Sequence, residues 1–364
     1  MRMRVKGNGV MALDMDVKTL NPGEVAERLR VWFERRMTQI SQVDIRNIVR
    51  RPEGFSAEIF TFSAKWAEGG KEISRELVLR LDPGKKSLEF MPSTLDRQFK
   101  TLKCIEAASI KVPAPKAYWL EEDVSFLGGP FIIMEKLPGR PYIPWSPEGR
   151  KFLEEVASKS QATSQLVEIL AELHRLDWQK YGLSFLGAPS NEYDDVEGYI
   201  KHCESFFRYI WQPEPIFTEA VFWLKENKPR MTRAAFVHGD YRAGNLLFEG
   251  TRITGLTDWE LSHLGDPHFD IGTLCSKTHR MDSPLMSYLI DRQFLYEYYE
   301  QLTGWKINHK TVFWWEIVFT LIDGLFWAVS FRQFLDKKTT DLRRARGFLS
   351  YLHNKQLIAE YLGI

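Results

Sequence analysis

The sequence predicts an α+β protein of two lobes, a small lobe built on an antiparallel sheet and a larger, mainly helical lobe after it. Apolar and polar residues alternate between Ile45 and Leu81, which is the period of a half-buried strand. After Pro138-Gly139 the apolar residues recur at helical spacing, as in Gln165–Leu176. With 364 residues, 44% of them hydrophobic, the chain is long enough for two such cores and too apolar to be disordered.

Composition excludes several classes of protein. The chain carries 49 basic and 48 acidic residues, a formal net charge of +1, so bulk charge gives no reason to expect a nucleic acid or a membrane surface as partner. The three cysteines, Cys104, Cys203 and Cys275, are too far apart for a disulfide framework or a Cys-x-x-Cys metal site. Free thiols favour a reducing, cytoplasmic compartment.

One apolar segment, Thr311–Phe331, has the length of a membrane span. It contains Glu316 and Asp323, and each charged residue costs roughly 2–3 kcal/mol at the centre of a bilayer. We therefore predict a buried helix of the larger lobe and a soluble chain with no membrane partner.

The first predicted lobe covers residues 1–134 and contains an early helix at about 22–38. Asn21-Pro22-Gly23-Glu24 supplies a cap, a proline at the first helical position and an acid at the third. Further along, two alternating segments flank Gly69-Gly70. A glycine-rich turn of that length predicts an antiparallel hairpin.

The remaining elements follow from turn and capping signals. Ser93 and Asp96 have the spacing of a capping box and predict the start of a second helix. Strands are expected at Lys116–Leu120 and Phe131–Met134. A short hinge at 135–139 then leads into a helical lobe over 140–364.

The most informative segment is Val237–Phe248, with the sequence VHGDYRAGNLLF. Asp240 is followed five residues later by Asn245, the spacing of a kinase catalytic loop. A carboxylate there can hold an attacking hydroxyl and accept its proton, while an amide oxygen binds Mg²⁺. A second strand, Ile253–Thr257, leads back to Asp258, whose carboxylate completes an oxygen-rich site of the kind Mg²⁺ prefers. The three residues HGD alone often occur by chance, but the joint pattern of Asp240, Asn245 and Asp258 favours a catalytic role.

These segments resemble the core motifs of the aminoglycoside phosphotransferase/choline kinase-like family. HGDYRAGNLLFE and TDWELSHLGDP are most similar to the kinase-like domains found alone in bacteria or fused to acyl-CoA dehydrogenases. The resemblance extends from the Gly54-Phe55-Ser56 loop to about Thr278. It implies a two-lobed protein-kinase-like fold, ATP and Mg²⁺ as cofactors, and a small hydroxylated molecule as acceptor.

The resemblance also implies roles for residues of the second lobe. Asp240 would be the catalytic base, and Asn245 and Asp258 the metal ligands. Asp270 would be a buried acid that braces the catalytic loop through backbone hydrogen bonds. Arg242 has two equal interpretations, a cation that neutralises charge on the transferred phosphoryl group or a solvated loop arginine.

In the first lobe the resemblance implies nucleotide binding. Gly54 and Ser56 resemble the family's nucleotide-covering loop, although an ordinary β-turn fits them nearly as well. Arg80 lies in the strand where kinases carry a phosphate-binding lysine, and a guanidinium can hold two phosphate oxygens. At the position where kinases carry the acidic residue that pairs with this cation, the chain has Gln98. The residue that pairs with Arg80 is therefore left open.

At the hinge, backbone groups around Glu135 and Leu137 would pair with the adenine edge. The leading hypothesis is therefore an ATP-dependent kinase that transfers the γ-phosphate to a hydroxyl of a small molecule, with a hydroxy acid or hydroxyacyl derivative as one candidate acceptor. The alternatives are an aminoglycoside-type antibiotic kinase and a nucleotide-binding pseudokinase, for which Gln98 and the glycine-poor loop are the support. Aromatic residues and arginines after Asp270 favour an apolar or anionic acceptor where they line the cleft, although most of the rings are expected to be core.

Overall fold

The computed structural model describes residues 20–51, 57–82, 95–158, 160–210, 214–339 and 341–364. By its internal contacts the chain divides into two compact units. One comprises Met1–Ser87 and Trp119–Ile133, and the other comprises Leu88–Tyr118 and Met134–Ile364.

A five-stranded sheet with the order β1-β2-β3-β5-β4 forms most of the first unit. The strands are β1 (Ile40–Arg51), β2 (Glu58–Glu68), β3 (Lys71–Leu81), β4 (Ala117–Glu121) and β5 (Phe131–Glu135). β2 and β3 are antiparallel and joined by Gly69-Gly70, whose φ angles of 55° and 77° suit a two-residue hairpin turn. The predicted hairpin is confirmed.

Helix α1 (Pro22–Arg36) precedes the sheet. Its capping box is formed as predicted, because the Asn21 side chain accepts from the Glu24 N–H at 2.9 Å and the Glu24 carboxylate accepts from the Asn21 N–H at 3.0 Å. The Trp32 ring is buried and packs edge-on against Trp119, with centroids 6.0 Å apart. Aromatic contacts of this kind anchor the helix to the sheet.

The second unit is mainly helical. Its helices are α2 (Leu95–Ala108), α3 (Pro147–Ala157), α4 (Ser160–His174), α5 (Asp194–Phe206), α6 (Pro215–Glu226), α7 (His268–Cys275), α8 (Lys277–Arg280), α9 (Arg292–Thr303), α10 (His309–Leu335) and α11 (Leu342–Leu362). Its strands are β6 (Arg140–Pro141), β7 (Ala235–Val237), β8 (Leu246–Glu249), β9 (Arg252–Leu256) and β10 (His263–Gly265). β6, β8 and β9 form one small sheet, and β7 pairs with β10.

Helix α2 groups with the second unit, whereas the sequence places it within the first lobe. The physical reason is a long-range contact that the sequence does not show. The Arg97 guanidinium donates to the carbonyl oxygens of Leu186 at 3.4 Å and Ser262 at 3.2 Å, both in the second unit. The capping residue predicted at Ser93 lies outside the described residues.

Helix α10 runs through the core of the second unit. It is long and apolar enough to cross a membrane, but 67% of its most apolar stretch is buried inside the protein. Trp314 and Trp315 are fully packed, and the buried Glu316 carboxylate pairs with Arg292 at 2.6 Å. The helix is therefore packed as the buried core helix that the sequence predicts.

Candidate active site

The catalytic loop, residues 238–245, connects β7 to β8 and is held by close backbone packing. Gly239 has a φ of 88°, and a Cβ there would lie 2.3 Å from the Leu261 carbonyl oxygen, so glycine is required. The Ala243 N–H donates to Ser287 Oγ at 2.8 Å. A 3-10 turn at Ala243–Asn245 closes the loop.

The Asp240 carboxylate is held by a hydrogen bond at each of its two oxygens. Its Oδ1 accepts from Arg242 Nε at 2.8 Å, and its Oδ2 accepts from Asn245 Nδ2 at 2.6 Å. Burial alone would raise the pKa of Asp240, but the Arg242 charge and the two hydrogen bonds outweigh it and hold the pKa below its usual range. The carboxylate is therefore ionised and fixed in orientation, as a base that aligns a hydroxyl requires.

Arg242 lies against this carboxylate and not in solvent. Its side chain is 17% exposed, and its guanidinium lies 5.9 Å from the centroid of the Trp145 ring. It also covers Gly244, where a Cβ would come within 2.3 Å of Arg242 Nη1. Burial would lower the pKa of Arg242, but Asp240 raises it above its usual value. The interpretation as a solvated loop arginine is wrong.

Asn245 and Asp258 are brought together by the turn between β8 and β9. The Thr257 N–H and Oγ1 both donate to the Asn245 carbonyl oxygen, at 2.9 and 3.1 Å. The Asn245 amide nitrogen also donates to the Asp240 carbonyl at 2.8 Å, so its Oδ1 is the atom available as a ligand. Asp258 follows with a φ of 65°, a left-handed conformation that is uncommon outside glycine and typical of functional sites.

Asp270 braces the loop from beneath, and this prediction is confirmed. The fully buried carboxylate accepts from the backbone N–H groups of His238 at 2.8 Å and Gly239 at 3.0 Å, and from His174 Nε2 at 3.2 Å. His174 Nδ1 in turn faces the Tyr299 hydroxyl at 2.8 Å. Burial would raise the pKa of Asp270, but His174 and the other donors outweigh it and hold the pKa low.

His238 is a structural residue of the loop. Its Nε2 lies 3.0 Å from the Thr257 carbonyl oxygen, and its Nδ1 accepts from the Asp240 N–H at 3.2 Å. Because a carbonyl can only accept, Nε2 carries the hydrogen and the ring is neutral. Burial lowers the pKa of His238, in keeping with a neutral ring that fixes the backbone of Asp240.

Of the first-lobe residues predicted to bind nucleotide, the structure describes Arg80 but not Gly54 or Ser56. Arg80 lies on β3 with only 8% of its surface exposed. Gln98 lies on α2, which belongs to the other unit, and is 4% exposed. Its buried Oε1 has no hydrogen-bond partner within the described part of the chain. Gly54 and Ser56 fall outside the described residues, and their nucleotide contacts stay a prediction.

Two groups whose relation to the catalytic loop the sequence does not show, His279 on α8 and Asp323 on α10, interact electrostatically with Asp240 and Arg242. Burial lowers the pKa of His279 to about 3 and raises that of Asp323 to about 6. The charges of the catalytic loop also shift both pKa values by smaller amounts, because Arg242 lowers each pKa and Asp240 raises each. The one sequence signal was an acid, Asp323, inside an otherwise apolar helix.

An aspartate followed five residues later by an asparagine, with a second aspartate after the returning strand, is the order of the catalytic base and metal ligands in kinases. Residues 54–305, more than half of the chain, match the phosphotransferase enzyme family. The chain belongs to this family. It is therefore a phosphotransferase with an alcohol group as acceptor. Binding of ATP and Mg²⁺ is typical of this family.

The named relatives of this chain are longer proteins, and the matches cover only part of them. The chain is 32% identical over 206 residues to acyl-CoA dehydrogenase family member 10 of Mus musculus, which covers 55% of this chain and 18% of that protein. It is 31% identical over 209 residues to acyl-CoA dehydrogenase family member 11 of Rattus norvegicus, covering 55% of this chain and 25% of that protein. The matches thus span a quarter or less of these relatives.

Solved structures share the fold. A candidate aminoglycoside phosphotransferase from Ralstonia eutropha superposes with a TM-score of 0.66 at 21% identity, covering 92% of this chain and 97% of that one. The macrolide 2′-phosphotransferase MphH from Brachybacterium faecium gives 0.54 at 14% identity, covering 92% and 98%. The predicted α+β, kinase-like fold is confirmed.

Proposed function

We propose that the protein transfers the γ-phosphate of ATP to a hydroxyl of a small molecule, with a hydroxy acid or hydroxyacyl derivative as acceptor. The observation that carries this proposal is the Asp240 carboxylate, held at 2.8 Å by Arg242 and at 2.6 Å by Asn245. A pseudokinase that only binds nucleotide has no need of a base fixed in this way.

The reaction would be an in-line phosphoryl transfer. The acceptor oxygen forms a bond to the γ-phosphorus while the bond from that phosphorus to the β–γ bridging oxygen breaks, and ADP leaves with the electron pair. The hydroxyl proton passes to the Asp240 carboxylate. Arg242 supplies positive charge beside the base, where negative charge spreads over the transferred group.

The residues at the turn fit a magnesium ion. Asn245 Oδ1 and the Asp258 carboxylate are hard oxygen ligands, and Mg²⁺ in kinases takes one or two such ligands together with phosphate oxygens and water. Groups of three or more His, Cys, Asp or Glu side chains able to hold a metal do not occur among the described residues, which fits a two-ligand site and not a caged one. When bound, the ion neutralises charge on the phosphates.

Replacing Asp258 with asparagine is expected to raise the Mg²⁺ concentration needed for half-maximal turnover by at least about tenfold, because a neutral amide binds the ion more weakly. The melting temperature should change by only a few degrees, since the side chain keeps its size. Titrating turnover against Mg²⁺ checks this, with Asp96→Asn on α2 as a matched exposed control. An unchanged Mg²⁺ requirement together with a collapse of folding would assign Asp258 a structural role.

Nucleotide binding is proposed for Arg80 and for the backbone around Glu135 and Leu137. The Glu135 N–H already donates to the Lys116 carbonyl at 2.8 Å. Adenine would therefore pair with the Glu135 carbonyl and the Leu137 N–H. Arg80 would hold phosphate oxygens.

The acceptor is proposed from the relatives and from the chemistry of the helices. Two relatives carry the name acyl-CoA dehydrogenase, which suggests an acyl derivative. Trp314 and Trp315 are core residues, whereas Phe326, Trp327 and Phe331 on α10 are only partly buried. Partly buried rings of this kind can contact an apolar acceptor.

An aminoglycoside would need an acidic pocket, and the acids available on α9 are already used. Asp291 caps the helix by accepting from Gln293 and Phe294 N–H groups. Glu297 accepts from Gln293, and Glu300 pairs with Lys306 at 2.5 Å. These contacts favour an acceptor other than a polycation.

ADP release with Mg²⁺ and ATP, measured with 3-hydroxybutyryl-CoA, 3-hydroxybutyrate and kanamycin in turn, tests this proposal. We expect ADP release that depends on a hydroxyacyl or hydroxy acid acceptor. Release with kanamycin alone would instead identify an antibiotic kinase. Nucleotide binding with no turnover on any of the three would favour the pseudokinase.

A further inference from the structure

An exposed tryptophan lies beside the catalytic loop. The Trp145 side chain is 43% exposed, whereas tryptophan is highly buried on average in folded proteins. The Arg242 guanidinium lies over its ring, 5.9 Å from the centroid, and the same guanidinium donates to the Asp240 carboxylate at 2.8 Å. A Cβ built on Gly244 would lie 4.0 Å from Trp145 Cη2. The indole is therefore separated from the proposed base by a single side chain, that of Arg242.

The backbone at Trp145 is fixed by the turn between β6 and α3. At the start of this turn, β6 pairs with β8, the strand that directly follows the catalytic loop. At its end, the Ser146 Oγ accepts from the Gly149 N–H at 3.0 Å, and the Ser146 N–H donates to the Ile143 carbonyl oxygen at 3.1 Å. Because both ends of the turn are bonded to neighbouring elements, the ring is held beside the loop before a ligand binds.

The contact with Arg242 distinguishes Trp145 from other exposed apolar side chains. Apolar residues that are exposed singly are common on protein surfaces and need no functional reason. Trp145 differs because one part of its ring covers a cation of the active site while the rest of the ring stays open. An aromatic surface of this kind, next to a base, is suited to binding the apolar part of a small ligand.

The charge of Arg242 restricts what the open surface of the ring can bind. A ring whose electrons already face one cation attracts a second cation less, and the two positive charges repel each other. A hydrocarbon chain meets no such repulsion. It gains affinity on leaving water, by about fourfold for each fully buried methylene group. The ring therefore favours a hydrocarbon chain over an ammonium group.

We propose that Trp145 is a specificity-determining residue of the acceptor site, whose open ring surface binds the hydrocarbon chain of the acceptor while its covered surface packs on Arg242. This inference rests on the proposed kinase function and adds a residue that selects the acceptor. Trp145 contacts the acceptor and takes no part in the transfer of its proton.

The test measures the binding of two acceptors that differ only in chain length, 3-hydroxybutyryl-CoA and 3-hydroxyoctanoyl-CoA. Calorimetry is done with Mg²⁺ and a non-hydrolysable ATP analogue present. We expect the wild type to bind the octanoyl compound at least about tenfold more tightly. Trp145→Ala should reduce this ratio to about twofold or less, and Trp145→Phe, which keeps a ring, should retain most of it. Trp145→Gln also removes the ring and replaces the alanine variant should folding suffer.

Phe222→Ala is the matched control, because Phe222 is 57% exposed on α6 and its removal also takes away an exposed ring. Its binding ratio should equal that of the wild type. In turnover, Trp145→Ala should raise KM for the octanoyl compound more than for the butyryl compound, and it should change kcat equally for both. A merely structural role would not depend on chain length.

An unchanged binding ratio in a folded Trp145→Ala protein would overturn the inference while leaving the kinase proposal intact. Equal binding of the two compounds by the wild type, or no binding of either, would overturn it as well. Binding that depends on chain length and on Trp145, but without ADP release from ATP by the wild type, would instead contradict the kinase proposal and keep the binding role of Trp145.

Discussion

Replacing Asp240 with asparagine is expected to lower kcat by about 10²–10⁴, the usual effect of removing a positioned general base. The amide cannot accept the hydroxyl proton, and it no longer attracts Arg242, which now holds the carboxylate at 2.8 Å. The dissociation constant for ATP should stay within a few-fold, because Arg242 keeps its positive charge. Steady-state turnover and nucleotide titration together separate the two effects.

The exposed Asp96→Asn variant controls for the loss of one charge, since Asp96 contacts only Lys100 on its own helix among the ion pairs described. It should match the wild type in kcat. Turnover at the wild-type rate by a folded Asp240→Asn protein would exclude Asp240 as the base. The chemistry would then have to be sought elsewhere in the loop.

The Asp270→Asn variant is expected to lose roughly 2–4 kcal/mol of unfolding free energy, because a fully buried acceptor of three hydrogen bonds is replaced by a group that points a donor at donors. Turnover should fall as well, since the bonds to His238 and Gly239 set the loop that carries the base. Chemical denaturation measures the first effect directly.

The stabilisation by Asp270 should depend on pH with a definite sign. Its pKa in the folded protein lies below the ordinary 3.8. The stabilisation is therefore present above about pH 4 and is lost as the pH falls through the folded pKa. The difference between wild type and Asp270→Asn should shrink in that acid range. A difference that is absent at neutral pH would show that the carboxylate does not brace the loop.

Local patterns account for most of the fold and for the chemistry of the loop. The hairpin at Gly69-Gly70 and the cap at Asn21 depend on neighbours in sequence, so alternation and turn chemistry predict them. Asp240 and Asn245 are joined by one short loop, and Asp258 lies at the end of the hairpin strand that follows, so spacing alone places all three at one site. The resemblance to the family rests on the same residues.

Long-range contacts account for what the sequence did not predict. Arg97 ties α2 to the second unit through carbonyl oxygens of Leu186 and Ser262, and carbonyl groups have no sequence signature. The sequence allowed Arg242 to be either a cation of the active site or a solvated loop arginine, and its ion pair with Asp240 excludes the second role. Asp323 is more than eighty residues from Asp240 in the sequence, and only the folded structure shows that the two charges interact.

The measurement that tests the proposed reaction most directly is a ³¹P NMR spectrum of the enzyme with Mg²⁺, ATP and 3-hydroxybutyryl-CoA. We expect a phosphate monoester to accumulate in a 1:1 ratio with ADP, and both products to form at least about a hundredfold more slowly with the Asp240→Asn variant. ATP that stays intact in the presence of the folded wild-type enzyme, or ADP accompanied only by inorganic phosphate, would contradict phosphoryl transfer to this hydroxyl.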